Sequence, residues 1–564
     1  MLVHARAGVV ILEDNGFSLI LRVDLKQQNV PNLTVHFEPA SSDTTFDKNF
    51  EAVVGCIGIL RHSDEMFVVL IKSSRPASNC SWGGELIEDV IFYSVETGIR
   101  YTQATKSRKR DVGFSSIQSE VDISDLAKFM SHGSFFFSTS KTWDVTLNLA
   151  EQARLVKKTR EGLQPKSRRD TETLNGINPP AMAAGVNMYH INSDPDFIWN
   201  LFLLSPLFEI VQALEPDERV EFQKRHFALV LCQGFFGSRS IQSGKNKDDK
   251  VLIQVISRRK WTRAGTRFNV RGIDKFGNCA NAAETETILH LENTGTTMSF
   301  VQARASVPVL WQESLSIKGD GPNVAIHQPI NDSIEPLKIH FKSLLNKYKG
   351  KVHILNTIRR QLGCAEERLG AAYAEAVQAA SDQDKQMMDD VLYREFDMHR
   401  VWDANNTVPQ QLRRTQQHVL NEMRWTEAKM DWQGKVDIAT IEQQGVFRIN
   451  CRDCLDRTTL AGFVLSEATL EAFLAQTSRS SDIFKGSELD KAHRELFADS
   501  GDVLSKIYAG SAAMTSSFIR SGHASHLDVV VHFKINRERV NQALLWDKLK
   551  QTETNELTGQ TPER

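Results

Sequence analysis

The sequence predicts a mixed α/β protein built from two domains, and three observations support this. The chain has 564 residues, which is more than one ordinary hydrophobic core accommodates. Its first 100 residues favour short strands, whereas its second half alternates apolar β-rich runs with helical segments, as α/β domains do. Hydrophobic residues make up 41% and charged residues 24% of the chain, the ordinary balance of a globular protein.

Short strands dominate the first predicted domain. Apolar β-rich runs separated by turn clusters occupy residues 9–12, 18–23, 53–60 and 66–71. Helical patterns follow at residues 122–130 and 143–157. We therefore expect a mixed, β-rich N-terminal domain over residues 1–190.

A basic linker or insertion is predicted over residues 154–180, inside this first domain. Seven Lys or Arg residues lie between Arg154 and Arg169, against Glu161 as the single acidic residue. Such a charge run is typical of a solvated connection. The alternative is a basic strap that lies near anionic lipid headgroups.

The second predicted domain covers residues 191–535 and has an α/β pattern. Buried strands are expected at residues 227–232 and 251–256, and helices at residues 341–348, 365–380 and 413–430. The remaining residues, 536–564, end in a polar segment that we expect to be a disordered tail.

Composition also limits the class of protein and its location. The formal net charge of −2 argues against wholesale binding of nucleic acid. The seven cysteines are an odd, widely spaced set, which fits a reducing cytosol better than a secreted disulfide framework. No secretory signal and no uninterrupted run of about 18–20 apolar residues is apparent. We expect a cytoplasmic protein without a transmembrane segment, which reaches membranes from the side.

Residues 447–458 (FRINCRDCLDRT) form the segment with the clearest chemistry. The apolar residues before it indicate a strand, and the apolar spacing after it indicates a helix. A strand, a tight loop and a helix start in this order present unpaired backbone N–H groups and the positive end of a helix dipole. This arrangement is a suitable site for an anion.

Cys451 and Arg457 lie on either side of this loop with five residues between them, so the segment predicts a Cys-x5-Arg phosphate-binding loop. A loop of this size can point its amides inward around a phosphate, and Arg457 can donate two parallel hydrogen bonds to it. The same positive field lowers the pKa of the Cys451 thiol, whose thiolate is the nucleophilic form. Thr458 can donate its hydroxyl to that thiolate or cap the helix.

The Cys451–Cys454 pair also permits a zinc site or a redox dithiol. A zinc site needs two further ligands at suitable spacing, and a redox dithiol is typical of a thioredoxin-like neighbourhood. The sequence shows neither feature near residue 451. Cys454 can also protect Cys451 through a reversible disulfide, which is a separate hypothesis.

The segment 448–458 (RINCRDCLDRT) closely resembles the signature of the Sac-domain phosphoinositide phosphatases. Further blocks resemble that family in the same order along the chain. They are residues 194–200 (DPDFIWN), 256–274 (ISRRKWTRAGTRFNVRGID), 284–286 (ETE), 299–308 (SFVQARASVP) with Trp311, 396–399 (FDMH) and 505–510 (SKIYAG). The resemblance implies a β-rich N-terminal Sac domain packed on an α/β Sac catalytic domain.

The resemblance also implies roles for individual residues. Cys451 is expected to be the nucleophile, Arg457 the phosphate-binding arginine and Thr458 its hydroxyl neighbour. Asp453 is expected to be the general acid that protonates the leaving inositol oxygen. Alternatively, Asp453 or Asp456 braces the loop by accepting backbone amides or by pairing with Arg448. The rest of the loop is expected to bind substrate, namely Arg452, Cys454, Leu455 and Asp456.

The function implied is hydrolysis of phosphate monoesters on phosphatidylinositol phosphates through a phosphocysteine, with no metal and no cofactor. The expected partners are the phosphoinositide and an anionic membrane surface, on endomembranes that the protein contacts peripherally. A recruiting protein is not identified by the sequence. The alternative is a catalytically weak Sac-fold protein that acts as a phosphoinositide-binding scaffold.

Three positions depart from the family pattern. Thr459 stands where Asn is usual, Ser511 where Thr is common and Ala305 where Gly is frequent. The basic residues of block 256–274 are expected to form either a solvated face or part of a positive surface that attracts bilayer phosphate. Asp397 and His399 are expected to form a structural pair, with a role in the site as the alternative.

Overall fold

The computed structural model describes most of the chain, and the described ranges are these. They are residues 1–23, 33–40, 51–77, 82–105, 121–138, 140, 142–161, 193–242, 250–314, 323–399, 407–477, 484–523 and 527–561.

A five-stranded antiparallel sheet forms at the N-terminus from short apolar runs joined by tight turns. Its strands are β1 Leu2–Arg6, β2 Val9–Asp14, β3 Phe17–Val23, β4 Leu33–Pro39 and β5 Glu51–Ala52. Their order is β4-β3-β2-β1-β5. Asn15 and Gly16 both adopt positive φ at the β2–β3 turn, which is the usual backbone of a two-residue hairpin.

The other strands form one 14-stranded sheet and a two-stranded ribbon. They are β6 Gly55–His62, β7 Glu65–Pro76, β8 Glu85–Ser94, β9 Arg100–Tyr101, β10 Phe135–Phe137, β11 Cys232–Gln242, β12 Lys250–Arg259, β13 Ala283–Leu291, β14 Thr296–Arg304, β15 Trp311–Ser314, β16 Asn323–Ile326, β17 Val352–Asn356, β18 Val391–Glu395, β19 Thr426–Met430, β20 Val436–Ile441 and β21 Val446–Asn450. Strands β15 and β16 form the ribbon. The large sheet has the main order β18-β17-β21-β14-β13-β12-β11-β10-β8-β7-β6.

Helices cover both faces of the large sheet. They are α1 Ile123–Met130, α2 Leu149–Arg160, α3 Leu201–Ala213, α4 Pro216–Gln223, α5 Ile334–Tyr348, α6 Ala365–Gln383, α7 Lys385–Met388, α8 Val408–Met423, α9 Asp456–Gln476, α10 Glu488–Ala509, α11 Ser516–Ser521, α12 Leu527–Leu545 and α13 Asp547–Thr558. A short 3-10 turn, Ile330–Ser333, precedes α5. Apolar side chains of α8, α9 and α10 pack on one face of the sheet, and those of α5 and α6 on the other.

Strand β21 lies in the middle of the parallel part of the sheet. It pairs in parallel with β14 on one side and with β17 on the other, and β17 pairs in parallel with β18. All five residues of β21 are buried, as expected for a strand covered on both faces. In register, Asn450 lies opposite Asn356, which lies opposite Glu395, so three parallel strands end at one edge.

Several predicted elements need correction. Strand β11 begins at Cys232, so the predicted strand 227–232 is wrong over most of its length, and the predicted helix 413–430 ends as strand β19. The predicted basic linker begins inside α2, which continues to Arg160 because Asn148 caps its start and basic residues favour its last turn. Residues 162–192, which hold the rest of that linker, lie outside the described residues.

The predicted division at residue 190 remains a prediction, although one sheet contains strands from both sides of it. The predicted disordered tail is wrong over its described part. Residues 536–545 lie in α12 and residues 547–558 in α13, and Leu557 of α13 is buried in a cluster with Trp199 and Leu203. The composition is polar because four of the five buried residues of α13 are polar or charged, and Leu557 alone among them is apolar.

The packing of α13 gives a test of this correction. Leu557→Ala is expected to reduce the free energy of unfolding by about 2–5 kcal/mol, the usual cost of truncating a buried leucine. Leu362→Ala is the control, because Leu362 is 88% exposed and its truncation is expected to change stability by about 0.5 kcal/mol or less. Urea unfolding of the two variants measures this difference, and equal stability would indicate a tail that does not pack.

Candidate active site

The predicted loop lies where β21 ends and α9 begins. Cys451 follows the last residue of the strand, and α9 begins at Asp456. Thr357, the residue after β17, fixes the end of β21, because both its backbone N–H and its hydroxyl donate to the Asn450 carbonyl. The carboxyl end of parallel strands is the usual position of ligand sites in α/β sheets.

Cys451 occupies the base of this loop and is 2% exposed. The backbone N–H of Cys454 donates to its Sγ at 3.0 Å, and the Thr458 hydroxyl lies 3.4 Å from the same atom. Burial by itself raises the pKa of this thiol, but hydrogen bonding from Cys454, the charge of Arg457 and the Thr458 hydroxyl together lower it to about 6. The thiol is therefore mostly ionised at neutral pH.

Cys454 holds the loop in its curled conformation. Its φ of 53° lies in the left-handed region, which is uncommon for a residue with a Cβ. Its Sγ donates to the Ala305 carbonyl at 2.7 Å, and burial together with the neighbouring Cys451 thiol raises its pKa well above the usual range. Cys454 therefore remains a neutral thiol beside an ionised one.

Arg457 lies on the first turn of α9 and forms a bidentate ion pair with Glu366. Its Nη1 donates to Oε2 at 2.7 Å, its Nη2 donates to Oε1 at 2.9 Å, and Nη1 also donates to the Thr357 carbonyl. Glu366 belongs to the first turn of α6 and also accepts the backbone N–H of Arg359. Two separate elements thus fix the guanidinium beside the Cys451 thiol.

Asp453 is bound by two arginines from the basic block 256–274. Its Oδ1 accepts from Arg271 Nη2 at 2.6 Å, and its Oδ2 lies 3.1 Å from Arg267 Nη2. Burial opposes ionisation, but the charges of Arg267, Arg271 and Arg452 outweigh it and hold the pKa of this carboxyl far below its usual range. Asp453 is therefore a carboxylate at neutral pH.

Glu313 on β15 belongs to the same network of charges as Asp453. Its two carboxylate oxygens accept from Arg271 and from Arg452, and its side chain is fully buried. Arg271 Nη1 also donates to the Arg452 carbonyl and to the hydroxyl of Tyr508 on α10. The loop backbone is thereby tied to β15 and to α10.

Asp456 braces the other end of the loop. It accepts the backbone N–H of Met514 at 2.5 Å and pairs with Arg539 of α12, with Nη1 at 2.9 Å from Oδ2. Ser511, one of the departures from the family pattern, accepts from Arg539 Nε. Thr459, another departure, accepts from Arg304 and donates to the Leu455 carbonyl, so both departures retain a polar contact at the loop.

The structure brings the predicted site residues into one loop, but not all their side chains face the same space. Leu455 is buried against Tyr508 and Ala509, and the buried Cys454 thiol donates to the backbone carbonyls of Ala305 and Cys451. A contact of these two residues with substrate therefore has to use their backbone. The predicted pairing of an aspartate with Arg448 is replaced by pairs with Arg267, Arg271 and Arg539, because Arg448 donates to the carbonyls of Ala305 and Ser306.

The basic block 256–274 is not the solvated or lipid-facing strip that the sequence predicts. Arg258 and Arg259 are fully buried, and Arg258 forms ion pairs with Glu284 and Glu286 on the adjacent strand β13. The register of β12 and β13 places Arg258 opposite Glu284, so these charges neutralise each other inside the sheet. The block instead supplies Arg267 and Arg271 to the loop.

The residues that sequence reasoning missed come from distant segments. Glu366, Glu313, Asn281 and Arg539 contact the loop, yet each lies more than 80 residues from Asp453 or Cys451 along the chain. Arg539 fell inside the predicted disordered tail.

Asp397 and His399 were predicted to form a structural pair. Asp397 accepts the backbone N–H groups of Arg360 and His399, and burial together with the Arg457 charge lowers the pKa of His399.

Two further features concern metals and membranes. No group of three His, Cys, Asp or Glu side chains in the described ranges is arranged to hold a metal ion. Helix α9 has the length and apolar composition of a membrane span, although most of it is buried in the protein, as the core helix of a globular domain is. The sequence predicts this helix, but not a membrane span, because charged residues interrupt its apolar run.

Comparison with known proteins relates the chain to proteins named as phosphoinositide and inositol phosphatases. The chain is 28% identical over 492 residues to inositol-1,4,5-trisphosphate 5-phosphatase 1 of Schizosaccharomyces pombe, which covers 84% of this chain and 40% of that protein. It is 27% identical over 444 residues to polyphosphatidylinositol phosphatase INP53 of Saccharomyces cerevisiae, and this alignment covers 78% of this chain and 36% of that protein. It is 31% identical over 343 residues to phosphoinositide phosphatase SAC7 of Arabidopsis thaliana, and this alignment covers 59% of this chain and 51% of that protein.

The chain thus spans about half or less of the length of these relatives. A family model described as the SacI homology domain matches residues 54–402, which is more than half of the chain. This match ends before Cys451, whereas the sheet to which strands of residues 54–402 belong also contains β21, the strand that leads into Cys451 and α9. The chain belongs to the SacI homology domain family.

Proposed function

We propose that this chain hydrolyses phosphate monoesters of phosphatidylinositol phosphates, with Cys451 as the nucleophile. The observation that carries the proposal is the Cys451 thiol, which is buried at the base of a loop, contacts one backbone N–H and the Thr458 hydroxyl, and has a pKa of about 6. A thiolate in such a position can attack phosphorus. The names of the relatives, all phosphatases of inositol compounds, support the substrate class.

The reaction follows from these atoms in two steps. In the first, a lone pair of Cys451 Sγ forms an S–P bond while the P–O bond to the inositol breaks, and the leaving alkoxide takes a proton from a water molecule, which leaves hydroxide. In the second, the oxygen of another water forms a bond to phosphorus while the S–P bond breaks, which regenerates the thiolate and releases inorganic phosphate, and a proton of this phosphate neutralises the hydroxide. Thr458 stabilises the thiolate before the first step and again when the second step releases it, because its hydroxyl lies 3.4 Å from Sγ.

Arg457 is suited to bind the transferred phosphate without leaving Glu366. An arginine has five N–H donors, and the contacts with Glu366 and Thr357 use both hydrogens of Nη1 and one of Nη2. Within the described part of the chain, the Nε–H and the second Nη2 hydrogen therefore remain for another acceptor. These two donors form one edge of the guanidinium, which matches two phosphate oxygens.

Asp453 serves better as a brace of the loop than as the general acid. Its carboxylate is held by Arg267 and Arg271, and its pKa is far below neutral, so it carries no proton to donate. The general-acid role stays a prediction, and these contacts favour the alternative. Contact of the enzyme with an anionic membrane surface, without a span, is part of the same proposal, because the substrate is a lipid.

The function is tested by turnover of a full panel of phosphoinositides in vesicles with detection of free phosphate. Wild type is expected to release phosphate, and Cys451→Ser is expected to lose on the order of 10³–10⁶ in rate, because a hydroxyl is nearly isosteric but far less acidic. Arg457→Lys is expected to lose about 10²–10³, because it keeps the charge but not the two parallel donors. Substantial release by both variants would eliminate the mechanism, and vesicle binding by wild type without release would indicate a scaffold.

The two roles of Asp453 differ in how they depend on the leaving group. If Asp453 braces the loop, Asp453→Asn is expected to slow hydrolysis of an inositol phosphate and of an aryl phosphate by the same factor. A general acid matters mainly for the poor alkoxide leaving group, so its loss slows only the inositol phosphate. The measurement is the rate on the inositol phosphate divided by the rate on the aryl phosphate, in the variant and in wild type. A ratio about tenfold or more lower in the variant would restore Asp453 as the acid.

A further inference from the structure

Helix α12 exposes an unusual number of large apolar side chains. The described residues contain twelve exposed large hydrophobic side chains, and six of them lie within residues 531–546. Phe533, Val540 and Leu544 are 73%, 48% and 66% exposed. Their spacing of seven and four residues places them on one face of the helix. Single exposed hydrophobic residues are common on protein surfaces, whereas a concentrated patch indicates an interaction site.

The opposite face of α12 is fixed to the protein. Ile535 and Arg539 are buried, and Arg539 donates to Asp456 of the catalytic loop and to Ser505 and Ser511. Residue 539 lies about 100° from residue 540 and about 140° from residue 544 around the helix axis. The apolar stripe of Phe533, Val540 and Leu544 therefore faces away from the protein.

The C-terminal end of the stripe lies beside the same catalytic loop. Leu545 and Trp546 extend the exposed patch, and the next residue, Asp547, accepts the Thr266 hydroxyl at its carbonyl. Gln551 of α13 also accepts the backbone N–H of Thr266. Thr266 precedes Arg267, which pairs with Asp453. Two independent contacts thus join the helix to the loop, one through Arg539 and one through Thr266.

Basic side chains accompany the stripe. Lys534 and Arg537 are exposed on the same helix, next to the single exposed acid Glu538 of that segment. An exposed apolar stripe with flanking cations and an aromatic residue at its end is typical of a helix that lies in the interface of an anionic bilayer. The acyl chains of a phosphoinositide remain in the bilayer, so the catalytic loop has to be held at the headgroups while the lipid is hydrolysed.

We propose that α12 docks the protein on an anionic lipid bilayer, with Phe533, Val540, Leu544, Leu545 and Trp546 inserted among the headgroups and acyl chains. This inference rests on the proposed function for its choice of occupant. Because α12 is joined to Asp456 and to Thr266, docking holds the catalytic loop near the membrane surface. The exposed stripe then determines turnover of lipid in a bilayer but not the chemistry at Cys451, whereas Arg539 on the opposite face braces the catalytic loop.

The docking test uses vesicles of phosphatidylcholine with phosphatidylserine and a phosphatidylinositol monophosphate. Phe533→Asp combined with Leu544→Asp is expected to reduce co-sedimentation with these vesicles at least tenfold. Trp432→Asp is the matched control, because Trp432 is 72% exposed in the turn between β19 and β20, and it is expected to bind as wild type does. Binding is measured in the Cys451→Ser background, so that the substrate persists.

Activity separates docking from folding and from the proposed function. The double variant is expected to hydrolyse a water-soluble, short-chain phosphoinositide at the wild-type rate and to lose turnover only on vesicles. Equal binding of the double variant and wild type, or an equal loss on both substrates, would overturn the proposal. Wild type that binds vesicles but hydrolyses neither substrate would refute the proposed function and leave docking supported.

A second pair of substitutions tests the charges independently of the apolar stripe. Lys534→Glu combined with Arg537→Glu is expected to weaken binding to vesicles that contain phosphatidylserine and to leave binding to pure phosphatidylcholine unchanged. Light scattering tests whether a second copy of this chain, instead of a bilayer, binds the exposed stripe of α12. A wild-type dimer that the Phe533→Asp, Leu544→Asp variant dissociates would overturn the membrane proposal in favour of self-association.

Discussion

The structure of this site depends on one constraint, which is that a buried sulfur anion needs a dense set of donors and positive charge around it. Transfer of an unpaired charge from water into the protein interior costs far more free energy than one domain can supply. Cys451 escapes this cost because the Cys454 amide, the Thr458 hydroxyl and the charge of Arg457 converge on Sγ. The left-handed conformation of Cys454 is part of the same constraint, since it turns that amide toward the sulfur.

The charges around the loop form a balanced network rather than a free positive surface. Asp453, Glu313, Asp456 and Glu366 each pair with an arginine at or beside the loop. Removing one partner of a buried pair costs far more than the pair itself contributes, so the network fixes the loop in one conformation. In the proposed reaction such preorganisation would serve catalysis, because the donors are already in place when charge develops on the transferred phosphate.

The sequence was most informative where the chemistry is local. The strand, loop and helix around Cys451 and Arg457 could be predicted, because the apolar runs on both sides and the five-residue spacing lie in one short segment. The partners of that loop could not, since Glu313, Glu366 and Arg539 approach it from strands and helices far along the chain. Arg258 was misplaced for a related reason: pairing with Glu284 depends on the register of two strands, which the charge pattern alone does not reveal. The tail was misjudged because polar composition hides the few residues by which α13 packs.

The central claim is that Cys451 is a thiolate at neutral pH, and its reactivity with iodoacetamide as a function of pH tests it most directly. Thiolate is the reactive form and accumulates above the pKa, so the rate of alkylation at Cys451 is expected to rise about tenfold per pH unit below pH 6 and to level off above about pH 7. Mapping of the labelled peptide, with Cys451→Ser as the blank, assigns the signal to this residue. A rate that still rises steeply between pH 8 and pH 9, near the ordinary thiol pKa of about 8.5, would contradict the account.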